Sequence, residues 1–296
     1  MTQTTSAGEI GLALADSIRE VTRKNVGSAN IATFIEGDAP ISWGAVSKAG
    51  WDQVGQNQGD EQATLRDLVE IGQAWGETLV QLPLLPTIVA KRHSLAAATH
   101  SGPVSFSIAV KRLENRGGLV PFGLIDGIKL VADFEVHDSP LIPVEKQASD
   151  DFAPSLKLTT SPHITTFSAL VANEMAAIWA GEASGAAKRV IRDSVEFAKM
   201  RHQFGKPIGS FQTVKHHLAN GHIAVEQAST AAIWASLDLS NSNRASTYAV
   251  EQSIRALEIA IQVHGGMGFT WEMGLHFYLR HLLTLRELME GMLRDV

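Results

Sequence analysis

From Glu9 to about Leu95 apolar residues recur at helical spacing, with Gly, Pro and Trp between Ile35 and Trp51, which predicts three or four helices joined by loops. The period then changes. Phe106, Ile108 and Val110 alternate with small or polar residues, and Ile128, Leu130, Ala132, Phe134 and Val136 do so after Asp126-Gly127, a short hairpin signal. A small sheet or barrel is expected over residues 100–160, with Pro140, Pro143, Pro154 and Pro162 marking its loops and edges. Beyond Pro162 the helical period returns at Phe167, Leu170, Val171, Met175, Ile178 and Trp179, with Ser161 or Thr165 as the expected cap. Gly181 and Gly185 interrupt that stripe. Each costs about 1 kcal/mol against Ala inside a helix, so their presence points to close helix–helix approach. Further helices are expected at 211–240, 243–264 and 273–293, separated by Asn241-Ser242-Asn243 and by Gly265-Gly266, giving an antiparallel four-helix bundle.

Composition narrows the classes. The chain has 296 residues, 45% hydrophobic and 19% charged, with no low-complexity tract, so it is globular. Its net charge of -6 gives no electrostatic reason to bind nucleic acid or anionic membranes. The absence of cysteine removes disulfides, thiolate zinc sites and a cysteine nucleophile. The N-terminal segment lacks the basic and apolar regions of a signal peptide, so a cytoplasmic protein is expected. The apolar run Leu82–Ala90 is broken by Pro83 and Pro86 and is too short to span a bilayer; no membrane insertion is expected.

Three segments stand out: Met200-Arg201-His202-Gln203-Phe204-Gly205-Lys206-Pro207-Ile208, then Phe211-Gln212, then Gln262-Val263-His264-Gly265-Gly266-Met267-Gly268-Phe269-Thr270-Trp271-Glu272. Alone, an Arg before Phe-Gly reads as a solvated helix end, and Gly-Gly as a turn. In this order, between long helices, they resemble the acyl-CoA dehydrogenase family, whose bundle carries Arg-x-x-Phe-Gly, a following Phe-Gln and a Gln-x-x-Gly-Gly-x-Gly loop. The motifs cover about residues 160–280, and the order of regions extends a weaker likeness over nearly the whole chain. The resemblance implies a mainly α fold with a small β region. Its parts would be an N-terminal helical lobe (1–99), a reduced middle β-barrel (100–160) and a C-terminal four-helix bundle (161–296).

The resemblance also implies FAD. In that family these segments face the adenosine and pyrophosphate end of a flavin held mainly by a neighbouring subunit. Arg201 supplies a planar cationic fork for the pyrophosphate. Gly265 and Gly266 let the backbone approach a ligand, Phe204 and Ile208 offer apolar contact, and Gln203, Gln212 and Gln262 offer neutral hydrogen bonds. His264 reads as structural. His216 and His217 point about 100° apart on a helix and cannot share a metal, and no metal site is expected. Trp271 and Glu272 are expected to pack and cap the last helix.

The catalytic base is missing. Family members remove a proton with a Glu placed on the first bundle helix or in a segment after the Gly-Gly loop. The first location falls on Met175, followed by Ala176, and Glu174 points about 100° away. The second falls on Met289, with Glu290 one residue late. Glu290 remains the candidate base if the loop shifts by one. The family's flavin-ring loop and Trp-containing strand are not evident in the β region, and the expected terminal helix does not follow before Val296. The likeness is therefore to the smaller, base-lacking subunit of actinobacterial α2β2 dehydrogenases. Such a subunit would complete the FAD site of a larger base-bearing partner acting on an acyl-CoA, with a steroid side chain or other bulky acyl group, and passing electrons to a separate acceptor. The alternatives are a scaffold subunit without flavin and a self-sufficient homo-oligomer using Glu290 or Glu174.

Overall fold

The computed structural model describes residues 6–26, 31–35, 37–56, 62–113 and 117–294. The N-terminal region holds α1 (Glu9–Val26), α2 (Trp43–Lys48), α3 (Leu65–Gly76), α4 (Leu84–His93) and α5 (Leu95–Ala98). Among the described residues these are five helices where the pattern predicts three or four, because α2 and α5 are too short to show a period. α3 opens with a capping box in which the Thr64 hydroxyl accepts the Asp67 N–H and Asp67 accepts the Thr64 N–H. α4 runs through Pro86. That proline lies in the first turn, where the N–H has no intrahelical partner to lose, so the sequence's apparent break is a helix start.

The β region differs from expectation. Strands β1 (Val104–Ser105), β3 (Lys129–Val131) and β4 (Leu141–Pro143) form one sheet, and β2 (Gly118–Val120), β6 (Leu158–Ser161) and β5 (Ser149–Asp150) a second. Asp126-Gly127 does form a turn, with Gly127 at φ 74°, but it joins strands of different sheets. β1 and β3 pair in parallel, so the expected hairpin is absent. The reason lies just before the turn, where the Phe122 and Leu124 N–H groups donate to the Leu156 and Lys157 carbonyls and commit the chain to the second sheet. Among the described residues neither sheet closes into a barrel.

Four helices follow: α6 (Ala169–Met200), α7 (Gln212–Leu237), α8 (Ser242–His264) and α9 (Leu275–Met292), close to the expected ranges. A two-strand ribbon, β7 (His202–Gln203) and β8 (Lys206–Pro207), joins α6 to α7. The cap of α6 is Ser168, whose hydroxyl accepts the Val171 N–H. Ser161 instead ends β6, and the Thr165 hydroxyl donates to Val131 O and accepts the Ser107 N–H, pinning the β region to the bundle entry.

α3 lies directly on α6. A Cβ on Gly181 would stand 2.6 Å from Val69 O and one on Gly185 1.9 Å from Gln73 O; the converse holds for Gly72 against Ile178 O (2.7 Å) and Gly76 against Glu182 O (1.9 Å). Glycines on both helices permit backbone contact, the approach that the two α6 glycines implied. Where the β region meets α6, Phe106 packs edge-on against Phe167 (5.3 Å) and Trp179 (5.9 Å), with Phe134 alongside. Buried polar contacts tie the parts together. Lys91 donates to Asp52 at 2.5 Å with both side chains fully buried, and His281 of α9 stands 2.8 Å from Ser155 Oγ and 3.2 Å from Glu182.

Candidate functional site

The up-and-down order of the bundle brings the α6–α7 and α8–α9 connections to one end. Arg201 ends α6 in extended backbone geometry; its N–H donates to Phe197 O and its carbonyl accepts the Ile208 N–H at 2.7 Å, closing the ribbon. Phe204 (φ 53°) and Gly205 (φ 78°) form the two-residue turn, both left-handed as a type I′ hairpin requires. This local hairpin was not anticipated; Phe-Gly lacks the usual Asn or Asp. Phe204 is 92% exposed and sits edge-on to Phe211 at 6.1 Å, while Lys206 Nζ lies 4.4 Å over the Phe211 ring. That cation–π contact is a further feature the motif did not suggest.

Arg201, Gln203, Gln212 and Gln262 are exposed, and among the described residues their side chains make no hydrogen bond, so their donors face solvent at this end. Ile208 is half-buried. Gly265 adopts φ 59°, ψ −139°, a region essentially restricted to glycine. A Cβ at Gly265 or Gly266 would meet nothing within 4 Å, whereas one on Gly268 would stand 2.7 Å from Ile261 O. The first two glycines thus present bare backbone outward, and the third serves packing.

His264 binds the two connections. Its Nδ1–H donates to Ala260 O at 2.8 Å, and its ring stacks on Phe197 at 4.1 Å and 20°. Burial holds its pKa below the ordinary value. Trp271 packs edge-on against Phe277 at 4.7 Å, but the cap of α9 is Gly274 at φ 68°, so neither Trp271 nor Glu272 caps that helix.

The two base locations are filled differently. Met175 and Ala176 are fully buried. Glu174 is buried too, 2.8 Å from His93 Nε2 and 3.2 Å from Arg92 Nε, where it bridges α6 to α4. Met289 is buried and Glu290 exposed, with Arg286 3.9 Å away. Gly291 packs under the Ala109 carbonyl, so the β region meets α9 one residue beyond Glu290, which instead faces a 200 Å³ groove with Asn243 and Thr247. Among the described residues no group of three metal-ligating side chains occurs, and no helix is long and apolar enough to cross a membrane. His216 is exposed and His217 half-buried on α7.

A helical lobe, two small sheets and an up-and-down bundle with an Arg-x-x-Phe-Gly ribbon beside an outward Gly-Gly turn define the fold class of the acyl-CoA dehydrogenases. The family model for the "Acyl-CoA dehydrogenase, C-terminal domain" matches residues 168–291. The chain is 30% identical over 245 residues to acyl-CoA dehydrogenase IpdE2 of Mycobacterium tuberculosis, covering 77% of this chain and 74% of that protein. Among solved structures, the ChsE4–ChsE5 complex from Mycobacterium tuberculosis superposes with TM-score 0.72 at 16% identity, over 99% of this chain and 97% of the matched one. A Tcur3481–Tcur3483 steroid ACAD variant gives TM-score 0.71 at 19% identity, over 98% and 96%. The chain belongs to the acyl-CoA dehydrogenase family of oxidoreductases.

Proposed function

We propose that this chain is the base-lacking subunit of a heteromeric, FAD-dependent acyl-CoA dehydrogenase, and that it completes the flavin site of a larger, base-bearing partner in an α2β2 assembly. One observation carries the reading: Met175 lies sealed in the core and its neighbour Glu174 is taken up by Arg92 and His93, while Arg201 and the Gly265-Gly266 backbone stand open at one end of the bundle. A chain that does the chemistry alone needs a carboxylate at the substrate. A chain that grips the far end of another subunit's cofactor needs only the second feature.

The residues fit a dinucleotide. Arg201 would hold the pyrophosphate through its fork, and Gly265 and Gly266 would let their backbone approach it without a Cβ in the way. Gln203, Gln212 and Gln262 would hydrogen-bond neutral edges, with Phe204 and Ile208 against the apolar faces. When bound, FAD supplies the hydride acceptor. Neither Glu290, solvated on the α8 side of α9, nor Glu174, engaged by Arg92 and His93, is offered as the base. The substrate we infer is a CoA thioester with a steroid side chain or similarly bulky acyl group, supported by the name of the steroid ACAD complex that shares this fold. Electrons would leave to a separate acceptor. The division into 1–99, 100–160 and 161–296 belongs to the same proposal.

Purification of the chain alone and with a co-expressed longer family member tests it. The expected result is flavin only in the co-expressed complex, about one per pair of unlike chains, with Arg201→Ala lowering retention but not assembly. Flavin and dehydrogenase activity in the lone chain would overturn the proposal, as would a colourless but stable complex, which would leave the scaffold reading.

A further inference from the structure

A second cleft, independent of the flavin reading, lies between α1 and α6 beside the end of α3, on which both helices pack. It has two chambers. The outer, 530 Å³, is walled by Arg19, Arg23, Arg189 and Arg192 together with the carboxylates of Asp16, Glu20 and Glu77. The inner, 260 Å³, is walled chiefly by Val26, Phe34, Val190, Phe197, Leu275 and Tyr278. Val26, Thr78 and Arg189 line both, so the chambers adjoin, with Arg189 at the junction.

The arginines are not equally engaged. Arg19 is committed to Glu77 (2.9 Å), Glu70 (3.4 Å) and Asp16 (3.5 Å). Arg189 donates through its Nε to Asp193 at 2.6 Å, and among the described residues its terminal nitrogens make no hydrogen bond. Arg192 comes no closer than 4.0 Å to Glu77 and 3.7 Å to Asp193, beyond hydrogen bonding. Arg23 makes no side-chain hydrogen bond or ion pair among the described residues. Three guanidinium groups from two helices therefore keep unused donors at the mouth of an apolar chamber. The inner chamber has little polar demand of its own. The Tyr278 hydroxyl is raised by burial to about 12, stays protonated, and donates to Glu77 O at 3.4 Å.

We propose that this cleft binds an amphiphilic anion, its phosphate or carboxylate head on Arg23, Arg189 and Arg192 and its apolar chain or ring in the inner chamber. A guanidinium fork matches either head in bidentate geometry. An apolar interior with a few convergent polar groups is the usual build of a small-molecule site. Because Phe197 also carries the stack that joins the two motif connections, a ligand in the inner chamber would lie against that strut.

Isothermal titration of the intact chain, with dodecyl phosphate, dodecanoate and inorganic phosphate as probes below any micelle-forming concentration, tests the site. One equivalent of at least one dodecyl anion per chain is expected, bound roughly tenfold or more tighter than inorganic phosphate. Whichever head binds tighter identifies the natural class. The exposed double variant R23Q/R192Q should weaken that binding about tenfold or more, and Arg255→Gln, on α8 outside the cleft, should not. No saturable binding would overturn the proposal. So would equal affinity for inorganic phosphate, or undiminished binding by R23Q/R192Q, which would mark adsorption to apolar surface.

Discussion

The imidazole of His264 lies on the ring of Phe197, 4.1 Å between centroids and 20° from parallel. This contact joins the last turn of α8 to the last turn of α6, the turns that lead into Gly265 and Arg201. Phe197→Ala removes the stack and part of a half-buried ring, which should cost about 2 kcal/mol. If the two connections act together on a dinucleotide, flavin retention in the co-expressed complex should fall as well. Denaturant titration and the flavin-to-protein absorbance ratio measure both; lost stability with full flavin content would separate the strut from the site.

Acid should weaken the fold through the buried His264 and the half-buried His100 and His276. Burial is the largest cause depressing His264, His276 and His100 below the ordinary 6.5. Each therefore binds fewer protons folded than unfolded, so its stabilising contribution is present above about pH 6.5 and is lost as pH falls toward its folded value. Thermal unfolding from pH 7.5 to 5 should show a falling midpoint. His264→Phe keeps the stack without a titrating group and should flatten that slope; an unchanged slope would remove His264 from the account.

Gly185→Ala should be costly although the substitution favours helix by about 1 kcal/mol. The added carbon would stand 1.9 Å from the Gln73 carbonyl, a backbone atom that moves only if α3 moves. A net loss of about 3 kcal/mol or more is expected. Gly266→Ala meets nothing within 4 Å and should leave stability within about 0.5 kcal/mol while lowering flavin retention. Equal stability of the two variants, by urea denaturation, would contradict the α3–α6 contact.

These glycines were legible because a residue that weakens its own helix needs a reason elsewhere, and the long bundle helices were legible because their apolar period runs for many turns. The β region was not. Asp126-Gly127 has turn chemistry, but which strands a turn joins depends on carbonyls thirty residues away at Leu156 and Lys157. Ser168 was passed over as the cap because Ser161 and Thr165 have equal local claim; only the sheet contacts of those two decide between them. The Arg201 and Gly265 segments are legible as motifs, yet the Phe197–His264 contact that ties the helix ends leading into them has no sequence signal beyond two aromatic rings near two helix ends.

Phe204 holds a left-handed backbone (φ 53°) with its ring almost wholly in solvent, a cost that its edge-on contact with Phe211 offsets only in part. Phe204→Asn tolerates that geometry and should raise stability by up to about 1 kcal/mol. Assembly with the partner, or flavin retention, should decline in the same variant. A gain in stability with unaltered complex, read by analytical ultracentrifugation and flavin absorbance, would show that the exposed ring contributes nothing to the interface.

The two glutamates near the base positions should respond in opposite ways. Glu290 is solvated, and its ion pair with Arg286 spans 3.9 Å, so Glu290→Gln should change stability by less than about 0.5 kcal/mol. With the base on the partner it should also leave the dehydrogenase rate of the complex unchanged. Glu174 is buried between Arg92 and His93, and Glu174→Gln leaves a half-buried guanidinium without its counter-charge, which should cost about 2 kcal/mol or more. The loss should appear as unfolding at lower denaturant, while the complex that does assemble turns over at the normal rate per bound flavin. A rate that collapses with Glu290→Gln, at normal flavin content and normal stability, would place the proton-abstracting group on this chain and end the division of labour proposed for it.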